Sequence, residues 1–230
     1  MSRIVAMGGG AFVGEDHGRM HRYLLSLAST ARPRVCFVAT GKGDKPATVE
    51  AFYAAFRQLP CEASHLPLFE REHADLRAFV LTQDIVFVWG GNTASLLAVW
   101  RAHGLDAILR DAAREGVILA GACAGALAWF EDGITDSFGG LDPLRDGLGL
   151  IRGSLCPYAN ADPERPALHR RLIAAGQMQA GYRVDVGVAL RFDEGELSDA
   201  VAQSPGLCAT RVCANAGTLE TEALTLRLLT

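Results

Sequence analysis

Apolar and polar positions alternate along the chain in two periods. Arg3 to Met7 is a short apolar run of strand type that breaks at Gly8-Gly9-Gly10, a turn able to bring backbone close to a ligand. Apolar residues then recur at helical spacing from Met20 to Leu27. A second β-rich run, Arg34 to Val38, leads to a loop with Gly41 and Gly43, and Pro46 to Leu59 again has a helical period with proline near its first turn. The unit repeats with a strand over Ala63 to Leu66, a helix over Ala74 to Leu81 and the very apolar Ile85 to Trp89. That strand stops at Gly90-Gly91-Asn92-Thr93, where Asn92 or Thr93 can cap a helix running to His103. A helix over Leu105 to Glu115 ends at Gly116, and Val117 to Ala120 is the next buried strand.

Strands alternating with helices predict an α/β fold whose mostly parallel, Rossmann-like sheet is covered on both faces. Ligands of such sheets bind beyond the carboxyl ends of the strands, so the loops after Met7, Val38, Trp89 and Ala120 are expected on one rim. Asp132 to Gly149, rich in Gly, Asp and Pro, reads as a long surface loop; Pro163 to Ala175 returns to helix. From Val184 onward, short β-like runs are expected to complete the sheet. No internal repeat, low-complexity segment or linker interrupts the pattern, and 230 residues suit a single domain, 1–230.

Composition narrows the partners. Half of the residues are apolar, and the net charge of −4 comes with scattered Lys and Arg, which leaves no footprint for nucleic acid or an anionic membrane. The expected partner is a small molecule or short peptide, with a homodimer open as an assembly. Six dispersed cysteines in a chain of this size, and an N-terminus without the features of a signal peptide, read as reduced thiols and a cytoplasmic location. Cys208 and Cys213 lack the spacing and nearby histidines of a zinc site, and no metal or cofactor is expected.

The chemistry centres on Gly121-Ala122-Cys123-Ala124-Gly125, placed after a buried strand and before a helix expected over Ala124 to Phe130. Gly-x-Cys-x-Gly in this position is a nucleophile elbow with sulfur in place of oxygen. The tight turn needs small neighbours and projects the central side chain above the sheet. The Ala124 N–H can then face an oxyanion, and a helix N-terminus favours the thiolate. A buried cysteine in a glycine-rich turn is the plain alternative.

The runs Gly90-Gly91-Asn92-Thr93-Ala94-Ser95-Leu96-Leu97, Gly116 to Ala126 and Trp129-Phe130-Glu131 resemble the peptidase E family of serine peptidases, whose relatives include aspartyl dipeptidase and cyanophycinase. Further matches cover nearly the whole chain: Gly8-Gly9-Gly10 with Phe12, Arg32 to Phe37, Thr135-Asp136-Ser137, Gly147 to Leu150, Gly153 to Pro157, and Pro166 to Arg170. The resemblance implies a class I glutamine-amidotransferase-like fold and an oxyanion hole from the N–H groups of Gly91 and Ala124. Three positions depart from the pattern together. Cys123 stands for the nucleophilic serine; Cys156-Pro157-Tyr158-Ala159-Asn160 stands for Cys-Pro-His-Tyr-Asp, putting Tyr158 at the histidine; and Val186 takes the third triad place, with Asp185 one position away.

A cysteine, with an ordinary pKa near ~8.5, depends less on a base than serine does. His17, in the loop after the first strand, is the favoured substitute base, and its spacing from His21 would put both on one helix face. Tyr158 donates a hydrogen bond, moves a proton or simply fills the histidine's volume. His169 reads as structural; His65, His73 and His103 read as surface residues. Gly9, Gly10, Trp89, Asn92, Asp136 and Asn160 are the expected substrate contacts, with the Trp89 indole, at a position where the family has glycine, narrowing the entrance. Two functions follow: a hydrolase or acyltransferase working through a Cys123 thioacyl intermediate, and a non-catalytic binding protein on the same fold. Glutamine hydrolysis would need a histidine and an acid that are not found.

Overall fold

The computed structural model of the chain describes residues 2–10, 17–215 and 218–230, with His17 described in its backbone alone. Its first half runs β1 (Arg3–Met7), α1 (His17–Ser26), β2 (Arg34–Val38), α2 (Pro46–Phe56), β3 (Glu62–His65), α3 (Leu76–Leu81) and β4 (Ile85–Val88). There follow α4 (Thr93–His103), α5 (Leu105–Arg114), β5 (Ile118–Ala122) and α6 (Ala124–Leu127). The second half is mainly strand: β6 (Phe130–Thr135), β7 (Asp142–Leu144), β8 (Ile151–Pro157), then α7 (Glu164–Ala174). It ends with β9 (Gly181–Val184), β10 (Val188–Asp193), β11 (Glu196–Ala202), β12 (Ala209–Asn215), β13 (Thr218–Ala223) and β14 (Arg227–Leu228).

The main sheet has eight strands in the order β14-β11-β10-β1-β5-β4-β2-β3. Its β1-β5-β4-β2-β3 half is parallel throughout, as the alternation of strands and helices requires. Side chains leave each strand alternately to either face. Val5, Met7, Val35, Phe37, Ile85 and Phe87 pack against α1 and α2 through Leu24, Phe52 and Phe56. Ile4, Ala6, Cys36, Val38, Val86 and Val88 meet Leu96, Trp100 and Leu109 on the other face.

A second, six-stranded sheet, β13-β12-β9-β8-β6-β7, corrects the reading of the second half. The expected loop over Asp132 to Gly149 contains most of β6 and all of β7, joined by pairs such as Gly133 with Leu144. Gly133 is there for close packing rather than a turn: a Cβ would collide with the Leu127 side chain and the Leu155 carbonyl. The elbow helix, expected to reach Phe130, stops at Leu127 because Phe130 already begins β6, fully buried. β5 runs two residues further than expected, since Gly121 and Ala122 pair with Ala6 and Met7. Among the described residues no helix is long and apolar enough to cross a membrane.

Candidate active site

A cleft of about 570 Å³ opens at the carboxyl end of the parallel strands. Residues from the loops after β1, β2, β4 and β5 line it: Gly10, Gly41, Lys42, Trp89, Gly90, Gly91, Asn92 and Cys123. Asp136, after β6, and Tyr158, after β8, close the opposite wall together with Asp162 and Arg165.

Cys123 lies between β5 and α6 at φ 56° and ψ −116°, a conformation that L-residues adopt only under constraint. Its N–H donates to the Met7 carbonyl at 3.1 Å, and its carbonyl accepts from Leu127 at 2.9 Å. The neighbouring glycines are required by contact. A Cβ at Gly121 would strike the Gly125 backbone, and one at Gly90 would come within 2.9 Å of the Cys123 Cβ. Gly91 has φ 138°, and a Cβ there would collide with the Gly41 carbonyl. That carbonyl accepts from the Asn92 N–H at 2.8 Å, which locks the two loops together.

The sulfur's environment differs from expectation. Burial pushes the Cys123 thiol upward in pKa, while the Ala124 N–H, the Tyr158 hydroxyl, the Arg165 guanidinium and the Gly91 N–H pull it back, without reversing the sign. The expected net depression is not found: burial outweighs the groups that favour the thiolate, and the following helix α6 has only four residues. Tyr158 is raised to about 12, by burial first and then by the adjacent Cys123, so it is a protonated donor at neutral pH.

Tyr158 sits at φ 58°, with its N–H donating to the Gly8 carbonyl at 2.9 Å. Its ring covers Gly9 so closely that a Cβ there would lie 2.6 Å from the ring. Gly9 is therefore the seat of Tyr158 and lies outside the lining of the main cleft, whereas Gly10 and Trp89 line it. Trp89 also meets Phe87 edge-on at 6.0 Å.

Asn92 lines the cleft, but both ends of its amide are engaged: Oδ1 accepts from Ser95 N–H at 2.8 Å, capping α4, and Nδ2 donates to the Ser137 carbonyl at 3.0 Å. Ser137 Oγ accepts from Thr93 and Ala94 N–H and so belongs to the same cap. Asn160 follows Tyr158 by two residues. It lies outside the cleft lining, and its Oδ1 accepts from the Val186 N–H at 2.9 Å, bracing the loop that the resemblance equates with the third triad position. Asp185 lies outside the cleft lining, and its carboxylate accepts from Cys208 N–H at 2.8 Å.

The His17 side chain lies outside the described residues. His21 is buried against Phe56 and Phe87. Among the described residues no group of three His, Cys, Asp or Glu side chains could hold a metal ion. His169 is fully buried, with Nε2 2.8 Å from Ser154 Oγ and Nδ1 unpartnered, and burial holds its pKa down at about 3. His65 bonds the Tyr53 hydroxyl and His73 stacks on Phe79, both away from the cleft.

Sequence reasoning missed Lys42, Asp162 and Arg165 among the charged residues of the cleft. Asp136 was expected, but its partner is Arg165, whose Nη2 lies 2.7 Å from Asp136 Oδ2. Arg165 also faces Asp162 at 3.3 Å. The i,i+3 spacing of Asp162 and Arg165 at the start of a helix was the one signal available.

Residues 4–199 match the family model described as peptidase family S51. An uncharacterized peptidase of Bacillus subtilis (strain 168), YgaJ, is 42% identical over 213 residues, covering 92% of each chain. Two solved structures share the fold. A provisionally assigned peptidase E protein from Listeria monocytogenes EGD-e has a TM-score of 0.63 at 17% identity, with 98% of this chain and 100% of that one covered. A peptidase from an acI-B1 Actinobacterium has a TM-score of 0.66 at 15% identity, with 97% of both covered. The chain accordingly belongs to peptidase family S51, the peptidase E family, and has the α/β fold of that group.

Proposed function

We propose that this member of the family cleaves an amide or ester bond of a small peptide-like substrate with Cys123 as nucleophile. The observation that carries the reading is the strained Cys123 elbow in a cleft of about 570 Å³, at a thiol that the N–H groups of Ala124 and Gly91 pull toward ionisation. Donors so placed can take up the charge of a carbonyl oxygen under attack. The cleft volume suits a ligand of dipeptide size.

Because the thiol and the phenol are both raised in pKa, the proton must move in concert with attack. Sγ bonds to the carbonyl carbon. The thiol proton passes to the Tyr158 oxygen as the phenol proton passes to the leaving nitrogen; the C–N bond breaks and a thioester remains. Water then attacks the thioester carbon, its proton returns through Tyr158 to sulfur, the C–S bond breaks and the carboxylic acid leaves. An amine in place of water makes the same step an acyl transfer.

A non-catalytic binding protein is the second reading. It is favoured by the raised thiol and by the absence of histidine from the cleft lining among the described residues. Turnover of a panel of dipeptides, amides and thioesters separates the two. Catalysis by Cys123 predicts a loss on the order of 10³-fold or more in Cys123→Ala and about 10²-fold in Tyr158→Phe. Wild-type turnover in Cys123→Ala would exclude the sulfur, and no turnover in the native protein would favour binding alone.

A further inference from the structure

Among the described residues, four charged side chains line the cleft: Lys42, Asp136, Asp162 and Arg165. Lys42 is exposed on the loop after β2, where water screens it. The other three form a cluster on the wall formed by β6 and α7. Arg165 is only 8% exposed. Its Nη2 donates to Asp136 Oδ2 at 2.7 Å, its Nη1 to the Ile134 carbonyl at 3.3 Å, and its Nε lies 3.3 Å from Asp162 Oδ2. Three acceptors on two elements thus fix the guanidinium. Asp162 is tied in turn to the nucleophile's neighbour, since its N–H and that of Ala161 both donate to the Tyr158 carbonyl.

The two kinds of charge are placed differently. The cation is inside, whereas the Asp136 and Asp162 side chains are 63% and 37% exposed. Water weakens the field of the carboxylates more than that of the buried guanidinium. From the other directions, the described residues around Cys123 offer Tyr158, the exposed Lys42 and uncharged backbone at Gly10, Gly90 and Gly91.

We propose that Arg165 is a positioning residue for Cys123: its pinned guanidinium supplies fixed positive charge that favours the thiolate, and Asp136 and Asp162 attenuate how much of that charge the sulfur feels. The inference deepens the reading of Cys123 as the reacting group and rests on it. The direction in which Arg165 acts on both the Cys123 thiol and the Tyr158 phenol, toward the ionised form, agrees with this arrangement. When the thiolate forms, the S–H bond breaks, its electron pair stays on sulfur and the proton passes to solvent.

The test is the rate of iodoacetamide alkylation of Cys123 against pH in the full-length protein, read on the Cys123 peptide by mass spectrometry. Arg165→Met should move the midpoint to higher pH and slow alkylation near neutrality about tenfold, with partial recovery in Arg165→Lys. Asp136→Asn and Asp162→Asn should move the midpoint the other way. Opposite signs are what a merely structural role would not give, since loosening the wall would shift all the variants alike. Because Asp136→Asn keeps the arginine and alters an exposed group, it decides the matter even if Arg165→Met fails to fold. A midpoint that stays put or rises in Asp136→Asn overturns the proposal. Wild-type turnover in Cys123→Ala would instead sink the reading of the reaction centre, while leaving the midpoint shifts interpretable.

Discussion

Cys123 and Tyr158 face each other across the cleft from turns built alike. Each is held at positive φ, 56° and 58°, and each donates its N–H to one of two successive carbonyls at the end of β1, those of Met7 and Gly8. On the Cys123 side the surrounding backbone also does chemical work, since the Ala124 and Gly91 N–H groups act on the sulfur. On the Tyr158 side the backbone only places a side chain, and that side chain has exchanged imidazole chemistry for a phenol with its proton held to about pH 12. Chemistry done by backbone N–H groups survives almost any substitution that leaves the turn intact, whereas chemistry done by a side chain is replaced in one step.

If the two turns are equally dependent on the end of β1, crowding that junction should cause the largest loss. Gly9→Val would place a Cβ 2.6 Å from the Tyr158 ring, at φ 138°. We expect a loss of about 3 kcal/mol or more in urea unfolding. Gly140→Ala, at a position with open space around it, should stay within ~0.5 kcal/mol of the native protein. Equal stability of the two variants would break the comparison.

The next effect separates the structural histidine from the cleft. His169 is depressed to about 3 from an ordinary 6.5, so its folded form stays neutral where the unfolded chain gains a proton. Its contribution is present above pH 6.5 and is lost as pH falls toward 3, at up to about 1.4 kcal/mol per pH unit for one proton. His169→Gln should flatten that acid limb in denaturation curves run across the same range; an unchanged slope would assign the limb to carboxylates. The smallest effect is expected at Asn160→Ala. Removing one exposed bond to the Val186 N–H should cost about 1 kcal/mol or less and leave dipeptide turnover intact. A large loss of turnover would return Asn160 to the substrate.

Much of the first half was legible in the sequence because its strands are continuous apolar runs buried on both faces. β1 and β2 fall on the expected residues, and Asn92 caps α4 as its type and position suggested. β6 and β7 were hidden because their glycines, aspartates and proline imitate a loop, and only pairing in space makes them strands. The elbow was readable from its small residues. The raised thiol was not, since it depends on burial by loops distant in sequence. Arg165 was invisible for a similar reason: its meaning comes from Asp136, 29 positions away, and from the cleft they share.

The central claim, that Cys123 reacts covalently from its elbow, is tested most directly by acid-quenching the protein during turnover of a thioester or dipeptide substrate and weighing the peptide that contains Cys123. The account predicts an acyl adduct on that peptide, absent from Cys123→Ala and longer-lived in Tyr158→Phe. Turnover that proceeds with no adduct on Cys123 and persists in Cys123→Ala would contradict it.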